Sequence, residues 1–414
     1  MSNGIKLEER LYKFTTSCYR CLVCTKGYPE VVYEVVCPIY KRFRFFTYSL
    51  GGMVMLARAL YENRIPVGES ASEVFYKCVT CGACGEMCAQ NDFADSLWMQ
   101  HELRARCVET GEVPLVNMAV IEGLKKDDNM LQKPKADRGK WAEGLGLRNI
   151  TQEKADVYFH VGCRYSYDEE LWPTLRAAAS LLEKAGVDFG IAGKDENCCG
   201  GRAYELGYHG EFTKYAENTM ELMKSSGAKT IVTPCADGYY AFEVLYDMQG
   251  KKGDVKVYHI TQYLAKLIKE GRLKPTKNVD LSVTYHDPCH LARKVDPWLR
   301  SKQNEIIPIH EKIEKGEMYQ PPRDILAAIP GIKLIEMRRT KENAWCCGAG
   351  GGVIDAYPEF AEWTARERLD EAKETGAEAL VTACPWCKRN FLDTQKGTAD
   401  MKIVDLVELL QQSV

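Results

Sequence analysis

The 414-residue chain lacks a long apolar run. Its longest stretch without a charged residue is Phe45 to Ala57, 13 residues between Arg44 and Arg58, where a membrane span needs roughly 20. It also lacks an excess of either charge. Lys+Arg 55 against Asp+Glu 58 leave a net charge of −3, so no nucleic acid is expected as a partner. The opening MSNGIKLEERLYK has no apolar signal-peptide core. The expected location is therefore cytoplasmic, either soluble or peripheral to a membrane complex. No P-loop ending in Lys-Ser/Thr and no placed G-x-G-x-x-G fingerprint is present. The chain thus shows no flavin or nicotinamide site of its own.

What is abundant is cysteine, with 18 residues in clusters. In a long cytosolic chain such clusters bind metal or do redox chemistry more often than they form disulfides. An apolar content of 45% with 27% charged residues suits a globular protein of two to four domains.

Three segments occur twice, in the same order. VYFHVGC (157–163) echoes VTYHDPC (283–289), NCCGG (197–201) echoes WCCGA (345–349), and GAKTIVTPCADG (227–238) echoes GAEALVTACPWC (376–387). The gap from the cysteine pair to the next cysteine is 35 residues in one copy and 36 in the other. Shared order, spacing and local sequence indicate an internal duplication. Each copy alternates strand and helix signals. Val157–Val161, Thr230–Thr233 and Val283–Tyr285 read as strands, and Thr174–Ala185 and Glu211–Ser226 as helices stopped by Gly186 and Gly227. That alternation predicts layered α/β domains with parallel strands, with cysteines at strand ends where such sheets hold ligands.

The expected division is a helical domain over 1–110, a connector over 111–155, a first α/β copy over 156–275 and a second over 276–414. The gap between the first cysteine and the pair is 34 residues in the first copy and 56 in the second. The surplus, near Asp296–Gln320, reads as a surface insertion, either a partner-docking segment or a tolerated loop. Tyr48–Tyr61 is apolar and partly helical, which fits a core helix or a docking site for a membrane subunit.

Cys78, Cys81, Cys84 and Cys88 form C-x2-C-x2-C-x3-C, the spacing of bacterial ferredoxin runs, in which the fourth cysteine serves the other cluster. Cys18, Cys21 and Cys24 repeat the triple, and Cys37 follows at a displaced position. Crosswise ligation predicts Cys18, Cys21, Cys24 and Cys88 on one [4Fe–4S] cluster and Cys78, Cys81, Cys84 and Cys37 on another. A pair of zinc sites fits less well, because zinc ligands come as separated pairs. Gly82 and Gly85 would let the backbone approach the sulfurs. Cys107 remains outside the scheme as an inert buried thiol.

The second copy brings five thiols to one site: Cys289, Cys346, Cys347, Cys384 and Cys387. The first has Cys163, Cys198, Cys199 and Cys235, with Gly238 where Cys387 stands. This constellation resembles the CCG domain of the heterodisulfide reductase family. The whole layout resembles the family's large iron–sulfur subunit, the D-type subunit, across residues 15–410. YHDPCHLAR (285–293), PPRDILAAIPG (321–331) and WCCGAGGG (345–352) carry the likeness besides the cysteines. Similar subunits occur in glycolate and lactate oxidases, benzoyl-CoA reductase and sulfite-reduction complexes. The resemblance implies a helical ferredoxin-like dicluster domain followed by two duplicated α/β CCG domains. It also implies a noncubane [4Fe–4S] cluster on the second copy's five cysteines, able to attack a disulfide. Gly238 leaves three alternatives for the first copy: a [4Fe–4S] cluster on four thiolates, a zinc ion, or no metal.

His286 and His290 flank Cys289 and are candidates for tuning a cluster or passing protons, with a hydrogen-bonded loop that includes Asp287 as the structural alternative. Gly200, Gly348 and Gly350–Gly352 read as close backbone approach to a cluster. Two functions follow. One is an electron-transfer and catalytic subunit of an anaerobic oxidoreductase complex. The other is a pure relay or scaffold for a partner flavin dehydrogenase or acyl-CoA reductase. Both require other redox subunits.

Overall fold

The computed structural model describes residues 7–27, 35–88, 93–303, 316–397 and 401–414. A helical region comes first, with helices Leu7–Ser17, Leu50–Tyr61, Glu69–Tyr76 and Phe93–Thr110 as its main elements. Two sheets follow. The first holds β1 (Val157–Phe159), β2 (Phe189–Gly190), β3 (Thr230–Thr233) and β4 (Lys256–His259) in the order β2-β1-β3-β4. The second holds β5 (Leu281–Tyr285), β6 (Ile332–Leu334), β7 (Ala379–Thr382) and β8 (Lys402–Asp405) in the order β6-β5-β7-β8. All pairings are parallel. Strands β1 and β7 are buried along their whole length, which is why they read as unbroken apolar runs rather than alternating ones.

The repeat in sequence is thus a repeat in topology, and it pairs with itself. The helix after β1, Trp172–Lys184, packs on the helix after β8, Leu406–Ser413. Its counterpart Gln320–Ala328, between β5 and β6, packs on Ile260–Lys269, the helix after β4. One apolar core joins the two sheets through these helices, with Val157, Phe159, Val232, Val283, Tyr285 and Val381 among its members. The opposite faces share a second core with the N-terminal helices, and every cysteine lies in it or against it except Cys21, which is exposed.

The helix limits follow local signals. Trp172–Lys184 has Pro173 in its first turn, and Gly186 lies just beyond it at φ +64°. His209–Ser226 stops at Gly227, φ +73°, a left-handed conformation that glycine adopts without strain. The stretch 111–155 read as a connector carries the helix Leu115–Asp127 and a 3-10 segment, Lys135–Ala142. Trp141 from that segment is buried against Phe159 of β1. Leu50–Tyr61 is a core helix with Met53, Val54, Ala57 and Leu60 buried. Among the described residues no helix is long and apolar enough to cross a membrane. In the 296–320 stretch, Asp296–Gln303 is helical and residues 304–315 lie outside the described residues.

Arg104 knits the three units together. Fully buried on helix Phe93–Thr110, it donates to Phe75 O (2.8 Å) and Cys78 O (2.6 Å), to Glu205 O (2.8 Å) and to Gly351 O (2.9 Å). Nearby, His209 stacks on Tyr204 at 4.4 Å. Burial pushes its imidazole from 6.5 down to about 4. The unfolded chain therefore takes up the proton first, and this group's contribution to stability is lost as pH falls from 6.5 towards 4. We expect His209→Gln to lose less melting temperature than the parent on acidification from about pH 7 to 5. An equal loss in both proteins would contradict the assignment.

Candidate iron–sulfur centres

In a parallel sheet of this order the strand order reverses between the first and third strands, and ligands bind beyond their carboxyl ends. Cys163 and Cys235 follow β1 and β3, and Cys289 and Cys384 follow β5 and β7. Each copy therefore presents thiols at its own switch point. The cysteine pairs arrive on the loops that follow β2 and β6.

The N-terminal thiols gather in two abutting sets. Cys18, Cys21, Cys24 and Cys88 are mutual electrostatic neighbours. Burial pushes the Cys24 thiol up to about 12, opposed by a hydrogen bond to Thr25. Cys37 neighbours Cys78 and Cys81, and Cys84 neighbours Cys78, Cys81 and Cys37. Cys24 also neighbours Cys84 and Cys37, so the two sets adjoin one another. Backbone N–H groups of Arg20, Tyr40, Thr80 and Ala83 point at Cys18, Cys37, Cys78 and Cys81. Gly82, at φ +75°, caps the short helix Ala83–Glu86 and aims the Ala83 donor, while Gly85 is an ordinary helical residue.

The second copy's thiols form a continuous chain. Cys289 contacts Cys346, Cys346 contacts Cys347, and Cys347 lies 3.1 Å from Cys387, which contacts Cys384. Cys81 of the helical region also hydrogen-bonds with Cys346. That bond and the nearby Arg293 bring the Cys81 thiol down to about 6 against burial. Arg293 donates to Cys81 O (2.9 Å) and Ala344 O (2.7 Å), clamping the two segments side by side. Gly348 N–H donates to Cys346 Sγ at 3.3 Å.

Both candidate histidines are buried against these thiols. His290 Nδ1 lies 3.3 Å from Cys289 Sγ, and its Nε2 lies 2.6 Å from Glu205 and 2.7 Å from Lys294 Nζ. His286 shares a 4.8 Å neighbourhood with Cys347 and Cys387. Asp287 belongs to the loop instead, accepting from Arg323 at 2.8 and 3.0 Å and from Lys341 N–H at 2.8 Å.

The first copy is built differently. Cys163 and Cys198 are hydrogen-bonded, and that bond and burial hold the Cys163 thiol far above its usual range. Gly200 N–H donates to Cys198 Sγ at 3.4 Å, matching Gly348 in the other copy. Arg138, paired with Glu196 at 3.0 Å, places Nη2 3.6 Å from Cys163 Sγ. Cys163, Cys198, Cys199 and Cys235 line one cleft with Gly238, Arg164, Arg202 and Trp386. The Trp386 ring enters from the second copy between the guanidinium groups of Arg164 (4.3 Å) and Arg202 (4.9 Å). Asp237, a candidate oxygen donor to this site, lies 3.6 Å from Arg202 and 3.5 Å from His290.

Residues 15–91 match the 4Fe-4S dicluster domain, and residues 157–243 and 283–391 match the cysteine-rich CCG domain. The D-type subunit of dihydromethanophenazine:CoB–CoM heterodisulfide reductase from Methanosarcina acetivorans is 30% identical over 410 residues, 96% of this chain and 93% of that protein. The chain belongs to the family of heterodisulfide reductase D-type subunits. It is an iron–sulfur protein of the oxidoreductase class, and its dicluster domain implies two [4Fe–4S] clusters. The EtfAB:quinone oxidoreductase of Syntrophomonas wolfei is 29% identical over 87% of this chain and 50% of its own length. One subunit of the fumarate reductase (CoM/CoB) from Methanothermobacter marburgensis is 25% identical over 96% of this chain and 72% of its own. A crystal structure of a hypothetical protein from Helicobacter pylori shares the fold, with TM-score 0.55 and 10% identity over 99% of this chain and 72% of that one.

The thiol sets suit the clusters that such a family member carries. Buried thiols in mutual contact cannot all ionise without a counter-charge. Thiolate is also the ligand that iron–sulfur clusters require. Sequence reasoning missed the arginines around them. Arg104, Arg138 and Arg368 carry no motif, and Arg293, which ends YHDPCHLAR, gives no sign there of its partners; burial in the folded chain marks all four. Besides the Gly348 N–H aimed at Cys346, the glycine run permits close packing, between units at Gly350 and Gly351 and within the second copy at Gly348. A Cβ on Gly350 would lie 2.5 Å from Val79 O, one on Gly351 2.8 Å from Cys78 O, and one on Gly348 2.5 Å from Ala361 O. Cys107 is fully buried, and burial pushes its thiol up to about 11.

Proposed function

We propose that this heterodisulfide reductase relative carries electrons through two ferredoxin-type clusters to a cluster in its second CCG domain, from which a disulfide is reduced. The observation that carries the reading is the series of neighbouring thiols from exposed Cys21 through Cys24 and Cys84 to Cys81, which hydrogen-bonds Cys346, and on to Cys387. Iron–sulfur clusters supply single-electron steps over a wide range of potentials. Cys18, Cys21, Cys24 and Cys88 would hold one [4Fe–4S] cluster, and Cys37, Cys78, Cys81 and Cys84 the second. Cys289, Cys346, Cys347, Cys384 and Cys387 would hold the noncubane cluster. The four thiols of the first CCG domain suit at most a simpler site. The domains would run 1–110, 156–275 and 276–414, with 111–155 joining them.

Around these sites the chain's own groups hold the sulfurs and exclude water. Arg293 fixes Cys81 beside Cys346, and the Gly348 N–H stabilises negative charge on Cys346. The physiological form would be a hetero-complex with a flavoprotein or other electron-donating partner, located in the cytoplasm or at the membrane surface.

Cys24→Ala should damage one N-terminal cluster and Cys84→Ala the other, read by iron and sulfide counts with electron paramagnetic resonance. Zinc in place of iron in this region would end the relay reading. Reduction of a disulfide by the isolated protein with an artificial donor would establish catalysis within the chain. A pure relay role is favoured by the burial of the second-copy thiols, none more than 9% exposed. Failure with every disulfide tried, at full iron content, would support that role.

A further inference from the structure

The repeat places a histidine three residues before the first cysteine of each copy, His160 before Cys163 and His286 before Cys289. The two are used differently. Arg368 is fully buried and its Nε lies 3.1 Å from His286 Nδ1. A guanidinium donates and has no acceptor, so Nδ1 is the acceptor and the neutral ring carries its proton on Nε2. Arg368 is itself held by Glu371 (2.9 Å) and by Arg339 O (2.9 Å). The Phe391 ring meets His286 edge-on at 5.0 Å. The imidazole thus has a set tautomer and a set plane, and it faces Cys347 and Cys387, whose sulfurs are 3.1 Å apart.

His160 has no such freedom. Its Nε2 lies 3.0 Å from Asn197 O, a carbonyl that only accepts, so that proton is already engaged. Its ring packs edge-on against Phe242 at 4.8 Å. Gly238 stands where the other copy has Cys387, so one of the two sulfurs is missing.

We infer that His286, locked by Arg368, is a positioning residue that donates a hydrogen bond to the Cys347 and Cys387 sulfurs and thereby raises the reduction potential of the second-copy cluster relative to a site without that donor. The inference rests on the reading that these five thiols hold a cluster. A donor to a ligating sulfur favours the more negatively charged reduced state. The duplicated domains would then differ in potential as well as in ligand number, which gives electrons a preferred resting place.

The test is a redox titration of the holoprotein followed by electron paramagnetic resonance. In His286→Phe the midpoint of the second-copy signal should fall, with the N-terminal signals unmoved. In His286→Gln, whose amide N–H can reach the same sulfurs, most of the fall should be recovered. Arg368→Met should give a smaller fall in the same direction, and His160→Phe none. One exchangeable proton coupling should vanish in His286→Phe on transfer between light and heavy water. An unchanged midpoint in His286→Phe at full iron content would overturn the inference. So would an equal shift in His160→Phe, or a strong directly bonded nitrogen coupling, which would make His286 a ligand. If His286→Phe fails to load iron, an unmoved midpoint in Arg368→Met decides against it. A parent protein without second-copy iron would remove the cluster reading itself, and this inference with it.

Discussion

Replacing Cys387 with alanine is expected to abolish the second-copy iron–sulfur signal while both N-terminal clusters remain. Cys387 reaches the site from helix Pro385–Thr394 and lies 3.1 Å from Cys347. The nearest other potential ligand, His286, is held in place by Arg368 and Phe391. Lys388 is tied to Glu408 at 2.7 Å, and Asn390 to Cys347 O at 2.6 Å. The change deletes one buried sulfur, which costs about 1 kcal/mol of packing, so the fold should survive the loss of the signal. The reverse experiment uses the first copy. A Cβ added to Gly238 would meet Thr233 Oγ1 at 3.2 Å, Cys235 Cβ at 3.6 Å and Phe242 at 3.8 Å. Gly238→Cys therefore fits with a shift of a few tenths of an ångström, and should create a second signal of the same kind. A Cys387→Ala protein with the parent's spectrum and iron count would refute the five-thiol site.

Arg104→Met should be the most destabilising single change outside the cysteines. The substitution keeps an apolar stem but leaves the carbonyls of Phe75, Cys78, Glu205 and Gly351 without this donor. Each buried acceptor left unmet costs roughly 1–3 kcal/mol, so the total is on the order of 3–6 kcal/mol after partial relaxation. The loss should show twice, as a lower unfolding temperature and as earlier bleaching of the cluster beside Cys78. A variant that melts with the parent would mean that the three units are held together by apolar packing alone.

The fold was legible because duplication leaves two records of one design. Order, gap length and the strand-to-cysteine junctions all recur, and the two sheets share one strand order. The dicluster domain was legible because its cysteines keep ferredoxin spacing. Other features depend on contacts between residues far apart in the chain. Nothing near Cys81 in sequence announces Cys346, and nothing near His290 announces Glu205. The 111–155 stretch reads as a joint because Pro114, Pro134, Gly139, Gly144 and Gly146 punctuate it. Pro114 and Pro134 instead begin helical segments, where proline is tolerated. The packing of Gly350 and Gly351 on the helical region is not legible in sequence, because Val79 lies some 270 residues upstream of Gly350.

That contact bears on how the protein is made. Gly350 and Gly351 meet Val79 and Cys78 with no room for even a methyl group, and Arg104 closes the seam from behind. Once shut, the joint seals the inner thiols from the assembly factors that deliver iron and sulfide. If the second-copy thiols hold a cluster as proposed, its loading would precede closure, whereas a site at exposed Cys21 could be filled after the chain has folded. The same asymmetry would set the order of decay: under oxygen the outer centre should lose metal first and the innermost last.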